Sequence, residues 1–463
     1  MQLNLNKTKS LSVFSLVMIN IIAVDSLRTL PFSAEYGFSL IFFYVLAAIV
    51  FFVPVALIAA ELATGWPETG GLYVWVKEAF GKPIGFMVIW MQWIYNIVWY
   101  PTILVFITSA FAYLINPELA TNKLYLYGTV LVLFWLTTLL NLFGMRVSSF
   151  ISVAGALFGT LLPMSLIIGL AIYWWVNGYP MAITPSWSSI LPSSFNVSSL
   201  VLSTGILFGL VGMEMSAIHA GDVKSPQRDY PRALLYSTLI IFISLVLGSL
   251  SVAIVVPQEK LSLVTGLIDA FVLFFNAFHL KWMIPLVVLM IILGGLSSVS
   301  AWVLGPSKGL MIAAKDGCLP EKFFNVNHYG APSTILLAQA FAFTLLSSVY
   351  VLSESINASY WMLSALTAQL SMGVYILMFI AAIRLRRSQP NVKRGFKVPG
   401  GNWVLNMVAG VGIITCVMAL LLGFVPPSHI EIKSLWRYEL FLIVGWLALV
   451  ILPGFFVWQR RRK

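Results

Sequence analysis

The chain alternates long apolar runs with short polar connections. A helix needs about 20 mostly apolar residues to cross a hydrocarbon layer of roughly 30 Å at about 1.5 Å per residue. Twelve runs satisfy that requirement: 11–31, 38–60, 84–113, 124–144, 147–176, 199–220, 233–256, 283–305, 333–352, 358–383, 404–426 and 437–458. Lipid offers the backbone no hydrogen-bond partner, so each run must be helical or shielded by its neighbours. The pattern predicts an all-α membrane protein with twelve transmembrane helices.

Composition agrees with membrane lipid as the solvent of this chain. Hydrophobic residues make up 60% of the 463 residues and charged residues 9%, whereas soluble domains carry about 25% charged residues. The net charge of +11 comes from short basic clusters between the apolar runs, so it does not indicate a nucleic-acid partner. Cys318 falls in a predicted loop and Cys416 in a predicted helix, which excludes a disulfide or metal framework.

The basic residues also predict the orientation of the chain, because cytoplasmic loops carry an excess of lysine and arginine. With both termini in the cytoplasm, 21 of the 27 lysines and arginines are inside, five are outside and Arg28 lies within the membrane. The first apolar run contains charges and is followed by no small-residue cleavage motif. We therefore interpret it as a retained helix rather than a signal peptide.

Polar residues that lipid should exclude interrupt two of the runs. In helix 1, Asp25 and Arg28 lie three residues apart, and Pro31 follows soon after. In helix 6, Gly212 precedes Glu214 near the middle of the run. Burying an ionisable group in a membrane is costly, so such residues are hypotheses of function by default. We predict that helices 1 and 6 are interrupted at these points.

Interrupted helices at matching places of two inverted repeats leave free half-helix ends near the membrane midplane. Free N–H groups attract a carboxylate, while freed carbonyls and acidic side chains receive a cation or an amine. A zwitterionic amino acid presents both kinds of group. With helices 1 and 6 heading two repeats of five helices, the predicted segments are a cytoplasmic N-terminus (1–10), the first repeat (11–176), an external loop (177–198), the second repeat (199–383), a basic cytoplasmic loop (384–403), helices 11 and 12 (404–458) and a basic cytoplasmic tail (459–463).

The candidate residues also have structural explanations. Asp25 and Arg28 would pair with each other at i,i+3 and have no ligand role. Asn96, in an aromatic-rich part of helix 3, and Trp302, after three serines of helix 8, would serve packing. His219, near the cytoplasmic end of helix 6, is more typical of a packing or loop contact.

Catalytic and ATP-binding motifs are missing from the sequence. It contains no phosphate-cradling glycine loop, no metal-spaced set of histidines and cysteines, and no serine elbow. We therefore predict that the protein is not an enzyme and has no cofactor or metal site.

Four stretches contain distinctive motifs: 61–76 with its Pro67-Glu68-Thr69-Gly70-Gly71 turn, 212–233 with Gly212-Met213-Glu214, 305–320, and 396–401 with Val398-Pro399-Gly400-Gly401. They resemble motifs of the amino acid–polyamine–organocation superfamily, in the family's order from helix 2 to helix 11. Within the superfamily the chain is most similar to the bacterial glutamate–γ-aminobutyrate antiporter branch, through residues 37–43, 228–231 and 425–427.

The resemblance implies a five-plus-five inverted-repeat fold of the LeuT type, with helices 11 and 12 outside it, in the bacterial inner (cytoplasmic) membrane. Carried over residue by residue, it implies a substrate site at Val24, Asp25, Ser26, Asn96, Phe208, Gly212, Met213 and Trp302. Glu214 occupies the family's buried acidic position and is the expected proton-coupling residue. The family commonly has Gly-x-Gly in helix 1 where this chain has Val24-Asp25-Ser26, and Arg28 is an addition that we include in the substrate site.

These observations predict a secondary active amino acid transporter, in particular a proton-linked amino acid antiporter that works by alternating access. An importer that carries its amino acid together with a proton or another cation is the close variant. A non-cycling channel or receptor-like membrane protein is the alternative from another class. Channels usually need repeated rings of pore-lining polar residues, whereas this chain has single ionisable residues at two breaks.

Overall fold

The computed structural model of the protein describes residues 11–183, 186–192, 197–352, 355–426 and 434–461. Most of these residues are helical; they contain no β-strand, and an isolated bridge joins Leu11 to Val223. The predictions made for 1–10, for 462–463 and for Pro427 fall outside the described residues, as do parts of the predicted external loop 177–198. The prediction of an all-α membrane protein is confirmed.

Twelve helical segments occupy the places of the twelve apolar runs. In chain order they are helix 1 (Val13–Val24, Leu27–Thr29 and Leu30–Ala34), helix 2 (Gly37–Gly65), helix 3 (Lys82–Ile115), helix 4 (Lys123–Asn141), helix 5 (145–176), helix 6 (Val197–Gly209 and Met215–Asp222), helix 7 (Pro226–Val255), helix 8 (Ile284–Lys315), helix 9 (Ser333–Leu352), helix 10 (Ile356–Ser388), helix 11 (Gly401–Leu422) and helix 12 (Leu435–Arg461). Among the described residues, eleven helices are long and apolar enough to cross a membrane. Helix 6 is the exception, because its apolar part stops at the break.

Helix 1 is interrupted at Asp25 and Ser26. The α-helix ends at Val24, and Ser26 adopts an extended conformation with φ −98° and ψ 118°. The N–H of Ser26 donates to the carbonyl of Val24, two residues back, at 2.8 Å. A 3₁₀ turn then leads into a second α-helix, in which Pro31 occupies the first turn, where a missing N–H costs little. The predicted break in helix 1 is confirmed.

Helix 6 is interrupted between Gly209 and Met215. Gly212 has φ +123°, a conformation that glycine adopts far more readily than other residues. The chain resumes as a 3₁₀ helix at Met215, so a short irregular segment replaces about one turn of helix. The predicted break in helix 6 is also confirmed.

The fraction of buried residues distinguishes the helices inside the bundle from those at its edge. In the most apolar stretch of helix 3, 83% of the residues are buried, against 28% in helix 11 and 11% in helix 12. Helices 5 and 8 approach so closely that a Cβ on Gly159 would lie 2.1 Å from the backbone nitrogen of Gly294. Small residues permit such close helix packing in membranes. Helices 11 and 12 therefore lie at the edge of the bundle.

Helix 8 is longer than predicted. The run 283–305 was expected to end before Pro306, but the helix continues to Lys315. Proline removes one backbone donor and crowds the preceding turn, yet Pro306 is buried, and the neighbouring helices hold the turn. Two further helices lie in connections between the predicted runs: Leu72–Phe80, which we call the interfacial helix, and Gly266–Ala277.

The four family-like stretches meet at the predicted cytoplasmic side. Glu61 binds Arg386 through both carboxylate oxygens, accepts from the N–H of Val398 at 2.8 Å and lies 3.4 Å from Nε of Arg394. One helical turn on, the carbonyl of Thr64 accepts from the Gln227 amide at 2.5 Å. Ion pairing therefore joins helix 2 to helix 10 and to the loop before helix 11.

A second ionic cluster surrounds Asp316, just beyond the end of helix 8. Its carboxylate accepts from the Tyr73 hydroxyl at 2.7 Å and from Lys77 at 3.1 Å. Burial raises the pKa of Asp316, but the bonds from Tyr73 and Lys77 outweigh that effect and hold the pKa below its ordinary value. This cluster fixes helix 8 to the interfacial helix Leu72–Phe80.

Candidate functional site

A small cavity lies where helices 1, 3, 6 and 8 meet, beside both helix breaks. We call it the central cavity. Six of the predicted site residues line it: Val24, Ser26, Arg28, Asn96, Phe208 and Trp302. Six further residues line it: Ala23, Thr29, Tyr95, Trp99, Gly209 and Val211.

Arg28 separates the central cavity from a second one on its predicted outer side. The outer cavity is also lined by Thr204, Trp361 and Ser364. Arg28 is 2% exposed, and among the described residues that line these two cavities it is the one charged residue. Its position makes it the main electrostatic feature of both spaces.

Aromatic groups hold the Arg28 guanidinium from two sides. Nη1 donates to the Tyr360 hydroxyl at 2.9 Å, and the guanidinium carbon lies 5.6 Å from the ring centres of both Tyr360 and Phe208. Within the described part of the chain, Nε of Arg28 has no hydrogen-bond partner. Cation–π contacts stabilise the charge without using its donors, so the guanidinium keeps the capacity to bind an anion.

Asp25 points away from Arg28. Its Oδ2 accepts from the Ser244 hydroxyl of helix 7 at 2.8 Å, and the described residues provide no partner for Oδ1. The i,i+3 pair that the spacing allowed is therefore not formed: the break turns the two side chains toward different helices. Asp25 does not line the central cavity but a third one, on helices 1, 3, 5 and 8.

Glu214 sits in a hydrogen-bonded network behind the helix 6 break. Its Oε2 accepts from the Tyr375 hydroxyl of helix 10 at 2.6 Å, and its Oε1 accepts from Gln92 of helix 3 at 3.2 Å. The Tyr375 oxygen in turn accepts from the N–H of Gly212 at 2.8 Å. Gly212, Met213 and Glu214 are buried but are not among the residues that line the central cavity.

Trp302 connects the two breaks. Its indole N–H donates to the carbonyl of Ala23 at 3.1 Å, which satisfies an acceptor at the end of the first half of helix 1. Its ring packs against the helix 6 break, where a Cβ on Gly212 would lie 2.8 Å from it. Tyr95 and Trp99 of helix 3 contact the same ring with centroids 6.1 Å away.

Asn96 and Tyr95 supply the polar surface of helix 3. The Asn96 amide donates to the carbonyl of Gln92 at 2.7 Å. The buried Tyr95 hydroxyl lies beside the Gln92 and Asn96 side chains and, within the described residues, makes no hydrogen bond of ordinary geometry. The sequence analysis singled out Asn96 but not Tyr95, because a tyrosine in an apolar helix is usually a packing or interface residue. Tyr360 and Tyr375 escaped notice for the same reason.

Metal binding has no support in the described residues, where no group of three or more histidine, cysteine, aspartate or glutamate side chains could hold an ion.

The fold defines a class of protein. Two interrupted helices that meet at a small buried cavity inside a multi-pass helical bundle are the architecture of a secondary transporter. A sequence profile of the amino acid permease family matches residues 10–449, which is most of the chain. The protein belongs to this family, within the amino acid–polyamine–organocation superfamily, and is a membrane transporter rather than an enzyme.

Individual relatives support the same classification. The chain is 56% identical over 450 residues to an uncharacterized transporter of Legionella pneumophila, covering 97% of this chain and 96% of the relative. It is 32% identical to a glutamate/γ-aminobutyrate antiporter of Lactococcus lactis, covering 98% and 91%. It is 25% identical to a probable agmatine/putrescine antiporter of the same species, covering 92% and 90%. The predicted resemblance to the glutamate–γ-aminobutyrate antiporter branch is confirmed by the second match.

Proposed function

We propose that the protein is a proton-linked amino acid antiporter that binds its substrate in the central cavity and works by alternating access. The observation that carries this proposal is the position of Arg28: a buried guanidinium with an unused donor lines a cavity next to two helix breaks. A planar guanidinium is suited to a carboxylate. Every amino acid substrate carries one.

The opposite end of an amino acid substrate is a cationic amine, for which the cavity wall also has partners. Tyr95 has a buried hydroxyl that makes no hydrogen bond of ordinary geometry within the described residues, and Trp99 and Trp302 present aromatic rings. Hydroxyl oxygens accept hydrogen bonds from an ammonium group, and aromatic faces attract cations. In the proposed orientation the carboxylate binds Arg28 and the amine faces Tyr95.

Substrate charge follows from the same arrangement. Arg28 repels a second cation in a space of low dielectric constant, where Coulomb energies are several times larger than in water. The proposed substrates are therefore acidic or neutral amino acids, and arginine and polyamines are disfavoured. Of the two kinds of antiporter among the relatives, the glutamate/γ-aminobutyrate exchanger is the one with which this selectivity agrees.

We propose Glu214 as the residue that links proton binding to the transport cycle. It joins helix 6 to helices 3 and 10 through Gln92 and Tyr375. Adding a proton to the carboxylate changes what it can donate and accept. Protonation would therefore change the hydrogen bond between Glu214 and Tyr375, which connects the helix 6 break to helix 10.

The arrangement in the membrane is part of the proposal. We place the protein in a bacterial inner membrane with both termini in the cytoplasm, and we divide its core into repeats 11–176 and 199–383. The distribution of basic residues supports the orientation. A reporter fused after Lys463 should be active in the cytoplasm, and activity confined to the periplasm would reverse this topology.

The proposed function is tested by ligand binding to the purified protein. Thermal unfolding would be followed with L-glutamate, L-glutamine, γ-aminobutyrate, L-arginine and putrescine. A ligand at about 100 times its Kd stabilises the folded state by about 2.7 kcal/mol. We expect stabilisation by at least one of the first three compounds and by neither of the last two. Stabilisation by putrescine alone, or by none of the five, would contradict the proposal.

A further inference from the structure

A third, small cavity lies beside Asp25. We call it the Asp25 cavity. Thr160 of helix 5 and Phe106 of helix 3 contribute to its wall, and it shares only Ser26 and Arg28 with the residues lining the central cavity. A ligand bound here would therefore not compete for space with a substrate in the central cavity.

The described residues satisfy only one of the two oxygens of the Asp25 carboxylate. The side chain is 1% exposed, and Oδ2 accepts from Ser244 at 2.8 Å. The described residues give Oδ1 no partner. Leaving a buried carboxylate oxygen without a hydrogen-bond donor costs folding free energy. Binding of a proton or a donor at Oδ1 would remove that cost.

Few other charged or titratable groups face Asp25. Helices 3, 5, 7 and 8 have no aspartate, glutamate, lysine, arginine or histidine within 83–115, 150–176, 233–255 and 284–307. On its own helix the nearest charge is Arg28. The Tyr44 hydroxyl of helix 2 is engaged by Ser33 at 2.9 Å, and Glu214 behind the helix 6 break is held by Gln92 and Tyr375. Asp25 and Arg28 are thus the charges that must balance at the helix 1 break.

That balance changes when a substrate arrives. When deprotonated, Asp25 offsets the charge of Arg28. L-Glutamate brings two carboxylates and one ammonium group, so it adds a net negative charge to this buried region, and an uncompensated buried charge is strongly unfavourable. A proton on Oδ1 of Asp25 restores neutrality while Ser244 continues to donate to Oδ2.

We propose that the Asp25 cavity is a proton site and that a proton on Asp25 and an acidic amino acid with its carboxylate on Arg28 bind together. This inference rests on the proposed role of Arg28 as the carboxylate partner. A metal cation fits less well, because hard cations such as Ca²⁺ take about six to eight oxygen ligands. Among the side chains that line this cavity, only those of Asp25, Ser26 and Thr160 contain oxygen.

The test measures substrate affinity against pH. Equilibrium binding would use labelled L-glutamate, L-glutamine and γ-aminobutyrate between pH 5.5 and 8, where the net charge of each compound is nearly constant. We expect the wild-type Kd for L-glutamate to tighten as pH falls, by up to tenfold per unit, because linked ligands raise each other's affinity reciprocally. The Kd values for the net-neutral L-glutamine and γ-aminobutyrate should change by less than twofold. Asp25→Asn should make the Kd for L-glutamate independent of pH within twofold and abolish proton uptake on substrate addition.

Two further variants serve as controls for the Asp25→Asn result. Asp269→Asn is the matched control: its carboxylate, held by Tyr113 and Thr265, lies outside all three cavities and should leave the pH slope unchanged. Ser244→Ala removes the donor to Oδ2 but keeps the carboxylate, so it should displace the pH profile of the Kd and not flatten it. If Asp25→Asn fails to fold, this displacement decides the question, and an unmoved profile rejects the proposal.

Other outcomes separate the alternatives. A pH slope that survives in Asp25→Asn and disappears in Glu214→Gln would assign the linked proton to Glu214 and overturn the inference. A wild-type Kd that depends on replacing sodium with choline at fixed pH would show a metal-cation site instead. Wild-type L-glutamate binding without a pH slope, an equal slope for all three compounds, or binding of the two neutral compounds alone overturns this inference and leaves the proposed function intact. Absence of binding by all three compounds overturns both.

Discussion

The Tyr375 hydroxyl lies 2.6 Å from Oε2 of Glu214 and 2.8 Å from the backbone nitrogen of Gly212. One side chain of helix 10 thus binds both the carboxylate and the free N–H of the helix 6 break. A break leaves backbone groups that lipid cannot satisfy, and Tyr375 satisfies one of them. Helix 10 and the break are therefore coupled through a group whose hydrogen bonding depends on the protonation of Glu214.

Replacing Glu214 with glutamine should flatten the pH dependence of transport while substrate binding persists. Glutamine retains the size of the side chain and an acceptor for Tyr375 but does not titrate in this pH range. Initial uptake rates between pH 5 and 8 measure the effect, with Tyr375→Phe as the companion variant that keeps the carboxylate and loses the hydroxyl. An unchanged pH profile in Glu214→Gln would remove this residue from proton coupling.

Replacing Arg28 with alanine should weaken substrate binding, because it removes the proposed partner of the substrate carboxylate. A hydrogen bond to a charged group contributes about 1.5–3 kcal/mol, which corresponds to roughly tenfold to hundredfold in affinity. Competition by L-glutamate, L-glutamine, γ-aminobutyrate, L-arginine and putrescine would be compared in wild type, Arg28→Ala and Arg28→Lys. The lysine variant keeps the charge but not the planar fork, so it should recover part of the loss.

The same competition experiment can also refute a role of Arg28 in substrate selectivity. Inhibition of the wild type by arginine or putrescine as strong as by the acidic and neutral compounds, and unchanged in Arg28→Ala, would refute a selectivity role. Arg28 would then serve the contact with Tyr360 between helices 1 and 10.

Replacing Gly212 with alanine should destabilise the folded protein by about 1–3 kcal/mol, the usual cost of a strained backbone. The added Cβ would lie 2.8 Å from the Trp302 ring and 3.2 Å from Val24, at φ +123°. Gly128→Ala is the matched control, because Gly128 lies inside helix 4 with nothing within 4 Å of an added Cβ. Melting temperatures in detergent compare the two. Equal stability of both variants would mean that the break tolerates a side chain.

Removing the charge of Glu61 should destabilise the protein far more than removing that of Asp316. Glu61→Gln leaves Arg386 and Arg394 without their counter-ion in a site where all three side chains are at most 9% exposed. Breaking a buried pair in this way costs about 3–5 kcal/mol. Asp316→Asn affects a pair that is 21% and 27% exposed, and surface pairs contribute about 0–1 kcal/mol. Similar decreases in melting temperature for Glu61→Gln and Asp316→Asn would contradict this order of destabilisation.

Hydrophobic length predicted the helices well, because lipid leaves an apolar run little alternative to a helix. The breaks at Asp25 and Gly212 were also predictable, since charge and glycine are unfavourable in the middle of a membrane helix. The end of helix 8 was not, because Pro306 normally marks a boundary and here tertiary packing overrides that preference.

The side-chain partners were harder to predict than the helices. Spacing alone allowed Asp25 to pair with Arg28, and the extended backbone at Ser26 turns the two side chains apart. Tyr360 and Tyr375 become important only through contacts with residues more than 160 positions away in the chain. In an apolar helix such tyrosines look like packing residues, so the sequence carries almost no signal for them.

Counterflow in proteoliposomes tests the central claim most directly. Vesicles containing the purified protein would be loaded with unlabelled L-glutamate, L-glutamine or γ-aminobutyrate and diluted into a trace of the same labelled compound. Alternating access with exchange predicts that label accumulates transiently above its external concentration, and only when the vesicles are loaded. Equal entry of label into loaded and empty vesicles would indicate a channel, and binding without entry would indicate a receptor. Uptake that needs a proton gradient and no internal substrate would indicate symport instead of exchange. Any of these three results would contradict the proposal that the protein is an antiporter.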